Sequence, residues 1–253
     1  MSSSKQDLIY FKKNITSSNG EDGVIKEIFN RIGTTNKLCI EFGAWDGKHL
    51  SNTWHLWHEC QWSAILIEGD KKRHKSLAKS VKHLPNVTAI QTYVQPKGKQ
   101  SLDTILANKD INKNVDLLSI DIDGDDYYIF EGLNDYLPRC LIVEFNPTIP
   151  PEIDYVQPLG AYMGCSASAL VRLAASKGYE LVTCTDMNCI FILQEEFPKL
   201  GINKVELRDV FSFQYITYVI SSFDGSTFLN NNPNYAGYIK KRLRRFFSGP
   251  KCF

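Results

Sequence analysis

The sequence predicts an α/β protein: a doubly wound, mostly parallel sheet of seven strands with an antiparallel edge strand. Three observations carry this expectation. Short apolar runs alternate with stretches of helical periodicity, the pattern of a parallel sheet covered on both faces. Four of the runs, at 38–42, 62–69, 115–123 and 140–145, contain or finish in a carboxylate. The last two, at 179–184 and 189–193, flank the polar stretch Asp186 to Asn188 as a hairpin would.

Each element has its own signal. Val24, Ile25, Ile28, Phe29 and Ile32 recur at helical spacing, with Asn19 or Asp22 as candidate caps and Gly33 as the stop. The run 38–42 follows, and Gly43 and Gly47 bracket the turn after it, where glycine tolerates positive φ and close approach of a ligand. Residues 50–58 are expected to form a helix whose first amides face that turn. Strand 62–69 leads into a basic helix over 71–82, closed by Pro85. Residues 86–94 give a third strand and 102–107 a short helix. Strand 115–123 is followed by a helix over 127–137, and strand 140–145 by the proline-rich NPTIPP. Residues 153–164 lack periodicity and suggest a lid, and 166–177 a helix ended by Gly178. Residues 1–197 are expected to form the main domain, with 1–20 a loose segment apart from 8–11. Residues 198–253 form an extension with weak strand or flap signals near Phe211 to Ser221 and at Phe228.

Composition narrows the class. The chain has 253 residues, a formal net charge of +1, 43% hydrophobic and 23% charged residues, which gives no global attraction to nucleic acid or membrane. Seven cysteines without a CxxC pair point to a reducing, cytoplasmic setting rather than a disulfide framework. No apolar run approaches a membrane span, and the serine-rich start lacks a signal-peptide core.

The chemistry is expected at the strand ends. Glu41, Glu68, Asp121 with Asp123, and Glu144 would gather on the rim where such sheets bind ligands. Helix capping accounts for one such acid and poorly for four. Glu68 stands about 20 residues beyond Gly47, where an acid holds ribose hydroxyls in this kind of fold. A dinucleotide fingerprint needs a third glycine, which GAWDG lacks, and Asp46 would oppose a pyrophosphate. An acid in the turn suits a ligand carrying an ammonium and a sulfonium, as S-adenosylmethionine does.

The ordered motifs EFGAWDG, LIEGD, SIDIDGDDYYIFEGL and IVEFNP resemble the class I S-adenosylmethionine-dependent methyltransferases, most closely the FkbM-like branch. The resemblance spans residues 21–193 and implies a Rossmann-like fold. It implies that Glu41, Gly43, Ala44, Asp46 and Gly47 meet the methionine moiety, with Asp121 also lining the cofactor site. Glu68 would take the ribose, with Gly69 and Asp70 near the adenine. It further implies O-methylation of a sugar, glycan or similar small hydroxylated acceptor. The sequence departs from the branch in its acidic run Asp121, Asp123, Asp125, Asp126, where DxEG is usual.

That run has rival explanations. A calcium loop fails, since Asp126 occupies the required glycine position and no glutamate follows at the twelfth place. A phosphotransfer aspartate lacks an evident lysine partner. A divalent site for Mg²⁺ or Mn²⁺ is built if Asp121 or Asp123 joins Glu144 or Asn146 from the adjacent strand, and the bland alternative is an acidic first turn complementing a helix dipole. Candidates for the base that deprotonates an acceptor are Asp121, Asp123 and, ranked below them, His49. Asn146, Thr148, Tyr162 and Met163 are the expected acceptor contacts. The segment YIKKRLRRFF, 238–247, suits a solvated terminal helix or a contact with membrane or RNA; no nucleic-acid partner is expected. The competing functions are an NAD-dependent oxidoreductase and a non-catalytic cofactor-binding module.

Overall fold

A computed structural model describes residues 6–230. In chain order these form α1 (Glu21–Ile32), β1 (Leu38–Phe42), α2 (Trp54–Glu59), β2 (Ser63–Glu68), α3 (Lys71–Val81) and β3 (Val87–Gln91). Then come α4 (Leu102–Ala107), β4 (Leu117–Ile120), α5 (Asp126–Gly132), β5 (Cys140–Glu144), α6 (Ala167–Ser176), β6 (Tyr179–Cys184) and β7 (Asn188–Leu193). Two short helices, α7 (Phe197–Leu200) and α8 (Leu207–Val210), precede a hairpin of β8 (Val219–Ser221) and β9 (Thr227–Leu229).

The main sheet has seven strands in the order β3-β2-β1-β4-β5-β7-β6. The expected hairpin supplies the antiparallel strand: β7 runs against both β5 and β6, and all other pairings are parallel. Strand order reverses between β1 and β4, and the crevice beyond their carboxyl ends is where such sheets bind ligands. Side-chain alternation feeds two cores. On one face Ile40, Ile120 and Val143 pack under α4, α5 and α6; on the other Cys39, Leu117 and Ile142 pack under α1, α2 and α3. Among the described residues no helix is long and apolar enough to cross a membrane.

Three local expectations change. Neither Asn19 nor Asp22 sits at the N-cap of α1, which is Gly20 at φ 99°. Asp22 instead turns back and accepts the amides of Ile15, Thr16 and Ser17 at 2.7–2.8 Å. Those bonds hold the segment that was expected to be loose. Helix α2 starts at Trp54 rather than near residue 50, because residues 51–53 are bonded to a strand-end acid described below. The basic segment 238–247 lies outside the described residues.

At the far end of the sheet Asp116, fully buried, accepts the amides of Thr35, Asn36 and Lys37 and pairs with Arg139 at 2.7 Å. Arg139 also reaches Glu196 at 2.9 Å. This network ties the start of β1, the start of β5 and the chain after β7 together.

One glycine is fixed by geometry. Gly43, at φ 78°, lies so close to β4 that a Cβ there would stand 1.8 Å from the Asp121 carbonyl oxygen. Gly43→Ala is expected to lower stability by more than about 2 kcal/mol in urea unfolding. Gly33→Ala, at φ 69° but in open space, should cost about 1 kcal/mol.

Candidate active site

A cavity of about 910 Å³ opens at the switch point and is lined by Glu41, Glu68, Asp121, Asp123 and Glu144. The strand-end acids thus converge as expected. They are satisfied in different ways, and the differences define the site.

Glu41 is buried in β1, and its carboxylate accepts three hydrogen bonds. Ser51 Oγ and Thr53 Oγ1 donate to it at 2.6 and 2.7 Å, and the Asn52 amide at 2.8 Å. Burial raises its pKa, and the three hydrogen bonds pull the other way. Its role is to fold the loop after β1 onto the cavity wall.

Glu68, buried at the end of β2, accepts the Trp45 amide at 2.8 Å and the Asp70 amide at 2.7 Å, one on each oxygen. A carboxylate has roughly four acceptor positions, so half of Glu68's capacity remains. Gly69, next along, is pressed against Tyr93: a Cβ would stand 2.3 Å from its ring. Asp70 also lines the cavity, and it caps α3 through the amides of Lys72 and Arg73 at 2.9 Å, which hold its pKa low.

Gly43, Ala44 and Trp45 line the cavity, but Asp46 and Gly47 do not. Asp46 accepts the amides of Lys48 and His49 at 2.9 and 2.8 Å and so closes its own turn, and its pKa is lowered. Gly47, at φ 89°, packs toward Leu77. Both shape the loop from behind. His49 lines the cavity with its ring against Trp45, centroids 4.9 Å apart.

Asp121, Asp123 and Glu144 form the densest charge. Carboxylate oxygens of the three lie within 4.8 Å of one another. Burial, with Asp126 and Asp123 nearby, pushes Asp121 up to about 7, and burial with Asp121 beside it raises Glu144. Asp123 sits at φ 58°, a conformation aspartate tolerates better than most residues. Asp126 lies behind, accepting the amides of Ile122 and Gly124 at 2.9 Å, with its pKa raised by burial to about 6.

Asn146 is not available beside this trio. Its Oδ1 accepts from the Thr148 amide and hydroxyl at 2.9 and 2.6 Å, and its Nδ2 donates to the Met163 carbonyl. Both lone pairs of the oxygen are used, so a metal ligand is lost and a brace gained. Asn146, Tyr162 and Met163 line a smaller side cavity with Asp123 and Glu144. Tyr162, highly exposed, also borders the main cavity; Thr148 lines neither.

The lid is tied down by a residue that the sequence did not single out. Gln157, buried, donates to Asp125 and to the Ala161 carbonyl, and its Oε1 accepts the amides of Met163 and Gly164. Asp125 also accepts the Gly160 amide at 2.9 Å, so the acidic run and the lid form one unit. Asn19 and Asn188 line the cavity from the other side. Buried Glu21 positions both, accepting the Asn19 amide at 2.9 Å and Asn188 Nδ2 at 2.9 Å. A lone glutamine in an aperiodic loop carries no pattern that would reveal such a role.

No protein-family model and no curated protein sequence matches the chain. Similar solved structures include the CMeT domain of the citrinin polyketide synthase, 12% identical with a TM-score of 0.46 over 68% of this chain and 50% of that one. This chain therefore spans half of that protein's length. A SAM-dependent methyltransferase from Aquifex aeolicus is 10% identical with a TM-score of 0.39, over 66% of this chain and 87% of that one. The N-terminal domain of EvdMO1, crystallised in the presence of SAH and D-fucose, is 11% identical with a TM-score of 0.45, over 68% and 82%. At such identities and scores the likeness assigns neither substrate nor chemistry to this chain.

The carboxylate trio has a thermodynamic signature. A carboxyl whose pKa is raised in the folded state binds its proton more tightly there, so stability falls as pH rises from the unfolded value, 3.8, through about 7. Asp121→Asn is therefore expected to gain stability over the parent protein progressively as pH rises from about 4 to about 8, by about 1–4 kcal/mol across that window. Thermal melts of both proteins across this range check it; an unchanged or lowered melting temperature near about pH 8 contradicts it.

Proposed function

We propose that the chain is an S-adenosylmethionine-dependent O-methyltransferase of the FkbM-like kind, acting on a hydroxyl of a sugar, glycan or similar small acceptor in the cytoplasm. The observation that carries this reading is the convergence of acids from β1, β2, β4 and β5 on one cavity at the switch point. An acidic cavity favours a donor carrying positive charge.

The residues present fit the cofactor. Glu68 lines the cavity and keeps acceptor capacity, as a ribose diol requires, and Gly69 lets the chain beside it pack directly against the Tyr93 ring on the same wall. The NAD alternative fits less well. Helix α2 begins well after Gly47, and the intervening amides of Lys48, His49 and Asn52 are already bonded to Asp46 and Glu41. No free helix N-terminus therefore meets the glycine turn to receive a pyrophosphate.

Asp121, Asp123 and Glu144 have the hard-oxygen chemistry that Mg²⁺ or Mn²⁺ prefers. A divalent ion supplies Lewis acidity that eases loss of a hydroxyl proton. Without an ion, Asp121 near 7 is matched to take that proton at neutral pH. Asp123, the exposed member, faces the acceptor, and Tyr162 and Met163 on the braced lid offer it an apolar edge. His49 remains a second candidate base on the opposite loop.

Titration calorimetry with S-adenosylhomocysteine should give saturable heat, and NADH none. Glu68→Ala should weaken S-adenosylhomocysteine at least about tenfold, about 1.4 kcal/mol. Heat from NADH but not from S-adenosylhomocysteine would overturn the reading. A separate experiment addresses the ion. EDTA should cut methyl transfer to a panel of glycosides at least about tenfold, with Mg²⁺ or Mn²⁺ restoring it. Turnover indifferent to EDTA leaves the carboxylates as acid–base groups alone.

A further inference from the structure

We propose that Asn188 is a specificity-determining residue: its side-chain oxygen accepts a hydrogen bond from a hydroxyl or ammonium group of a second substrate seated at the β7 end of the cavity. The proposal deepens the methyl-transfer reading and rests on it for calling that ligand the methyl acceptor. Asn188 opens β7 and stands opposite Glu144 of β5, so the two side chains leave the same face of the sheet. It is buried, and it lines the cavity. Its other polar groups all have partners. The amide donates to Thr185 Oγ1 at 3.2 Å, the carbonyl accepts the Thr185 amide at 2.9 Å, and Nδ2 donates to Glu21 at 2.9 Å. Glu21 also accepts the Asn19 amide and Thr185 Oγ1. A carboxylate that collects donors in this way requires the amide nitrogen of Asn188 to face it, which fixes the orientation of the side chain. The Oδ1 that remains has no hydrogen-bond partner among the described residues. A buried carbonyl without a partner is exceptional in a folded protein, and this one belongs to a cavity wall.

The surroundings identify the chemistry of the ligand. Four strand spacings, about 19 Å, separate β2 from β7 in the sheet. A donor held at Glu68 therefore leaves the Asn188 end for another molecule. Glu144 and Asn19 line the cavity beside Asn188. Asn19 turns its Nδ2 to Ser18 Oγ at 2.9 Å, which leaves its oxygen as the available group. Lys72 and Arg73, the only lysine and arginine that line the cavity among the described residues, belong to α3 beside β2. A wall of hydrogen-bond acceptors with an acid and no cation binds hydroxyl or ammonium hydrogens and repels a carboxylate or phosphate.

Saturation-transfer NMR on the full chain with S-adenosylhomocysteine present tests this, with D-glucose, D-glucosamine and D-glucuronate as probes. Glucose or glucosamine should bind at least about tenfold more tightly than glucuronate. Tighter binding of glucosamine assigns the donor to an ammonium group, and equal binding of the two assigns it to a hydroxyl. Asn188→Ala should weaken the bound sugar at least about fivefold while the affinity for S-adenosylhomocysteine stays within about twofold. Asn19→Ala keeps the backbone amide that Glu21 accepts, and it should weaken the sugar in the same direction; it decides the matter if Asn188→Ala does not fold. Sugar binding unchanged in these variants overturns the proposal and leaves a trapped water as the partner of Oδ1. So does the absence of binding by every probe, or glucuronate bound as tightly as the others. A parent protein that gives no heat with S-adenosylhomocysteine fails the methyl-transfer reading instead, and sugar binding that depends on Asn188 would stand without it.

Discussion

The structure turns on the cost of placing several carboxylates side by side at the open end of a buried sheet. A buried carboxylate needs hydrogen bonds, a counter-charge or a proton. Glu41 and Glu68 are given hydrogen bonds, and the donors come from the loops that follow their own strands. Those loops are consequently shaped by the acids, and the cavity wall is a product of that satisfaction. Asp121 and Glu144 are not given enough, so burial and each other's charge raise both pKa values, that of Asp121 to about 7. Carboxylates this close to one another gain by receiving a proton or a cation.

The same logic separates bracing residues from working ones. Asp125, Asp126, Asn146 and Gln157 spend their polar atoms on backbone groups or on one another, and together they fix the lid against the acidic loop. At the opposite end of the sheet, Asp116, Arg139 and Glu196 make the other charged network. There the carboxylates meet a guanidinium, and Glu196 is held below its ordinary pKa. One end of the sheet is neutralised internally; the other is left acidic and lines the cavity.

The fold was legible because its signals are local and repeated. Apolar runs such as LCIEF and SAILIE can hardly be anything but covered strands, and β7 was visible as the second arm of a hairpin. The convergence of Glu41, Glu68, Asp121 and Glu144 was legible too, since a parallel sheet brings all its carboxyl ends to one side. What was hidden depends on side-chain bonding across the sequence. Asp46 stands in a motif and yet caps its own turn, and Asn146 has the chemistry of a ligand and yet has no lone pair left. Residues 12–20 are polar and look loose, but a single carboxylate, Asp22, gathers three of their amides. Composition cannot tell a satisfied polar group from a free one.

The cavity also has an electrostatic direction. Its floor is acidic, while its rim on the β2 side carries Lys72 and Arg73, with the Arg73 guanidinium 3.8 Å from the Trp45 ring centroid. Stacking on the indole orients the guanidinium without neutralising it. A donor whose positive centre lies deep and whose adenosine lies toward the rim meets a field favourable at its charged end. On the proposed reading the acceptor approaches from the lid side, past Tyr162 and Asp123, where acidic groups gather and the backbone is braced. That polarity favours neutral or cationic acceptors over anionic ones, unless an ion at Asp121, Asp123 and Glu144 first reverses the sign. On the proposed reading, metal use and the charge of the acceptor are therefore one physical question, decided at the same three carboxylates.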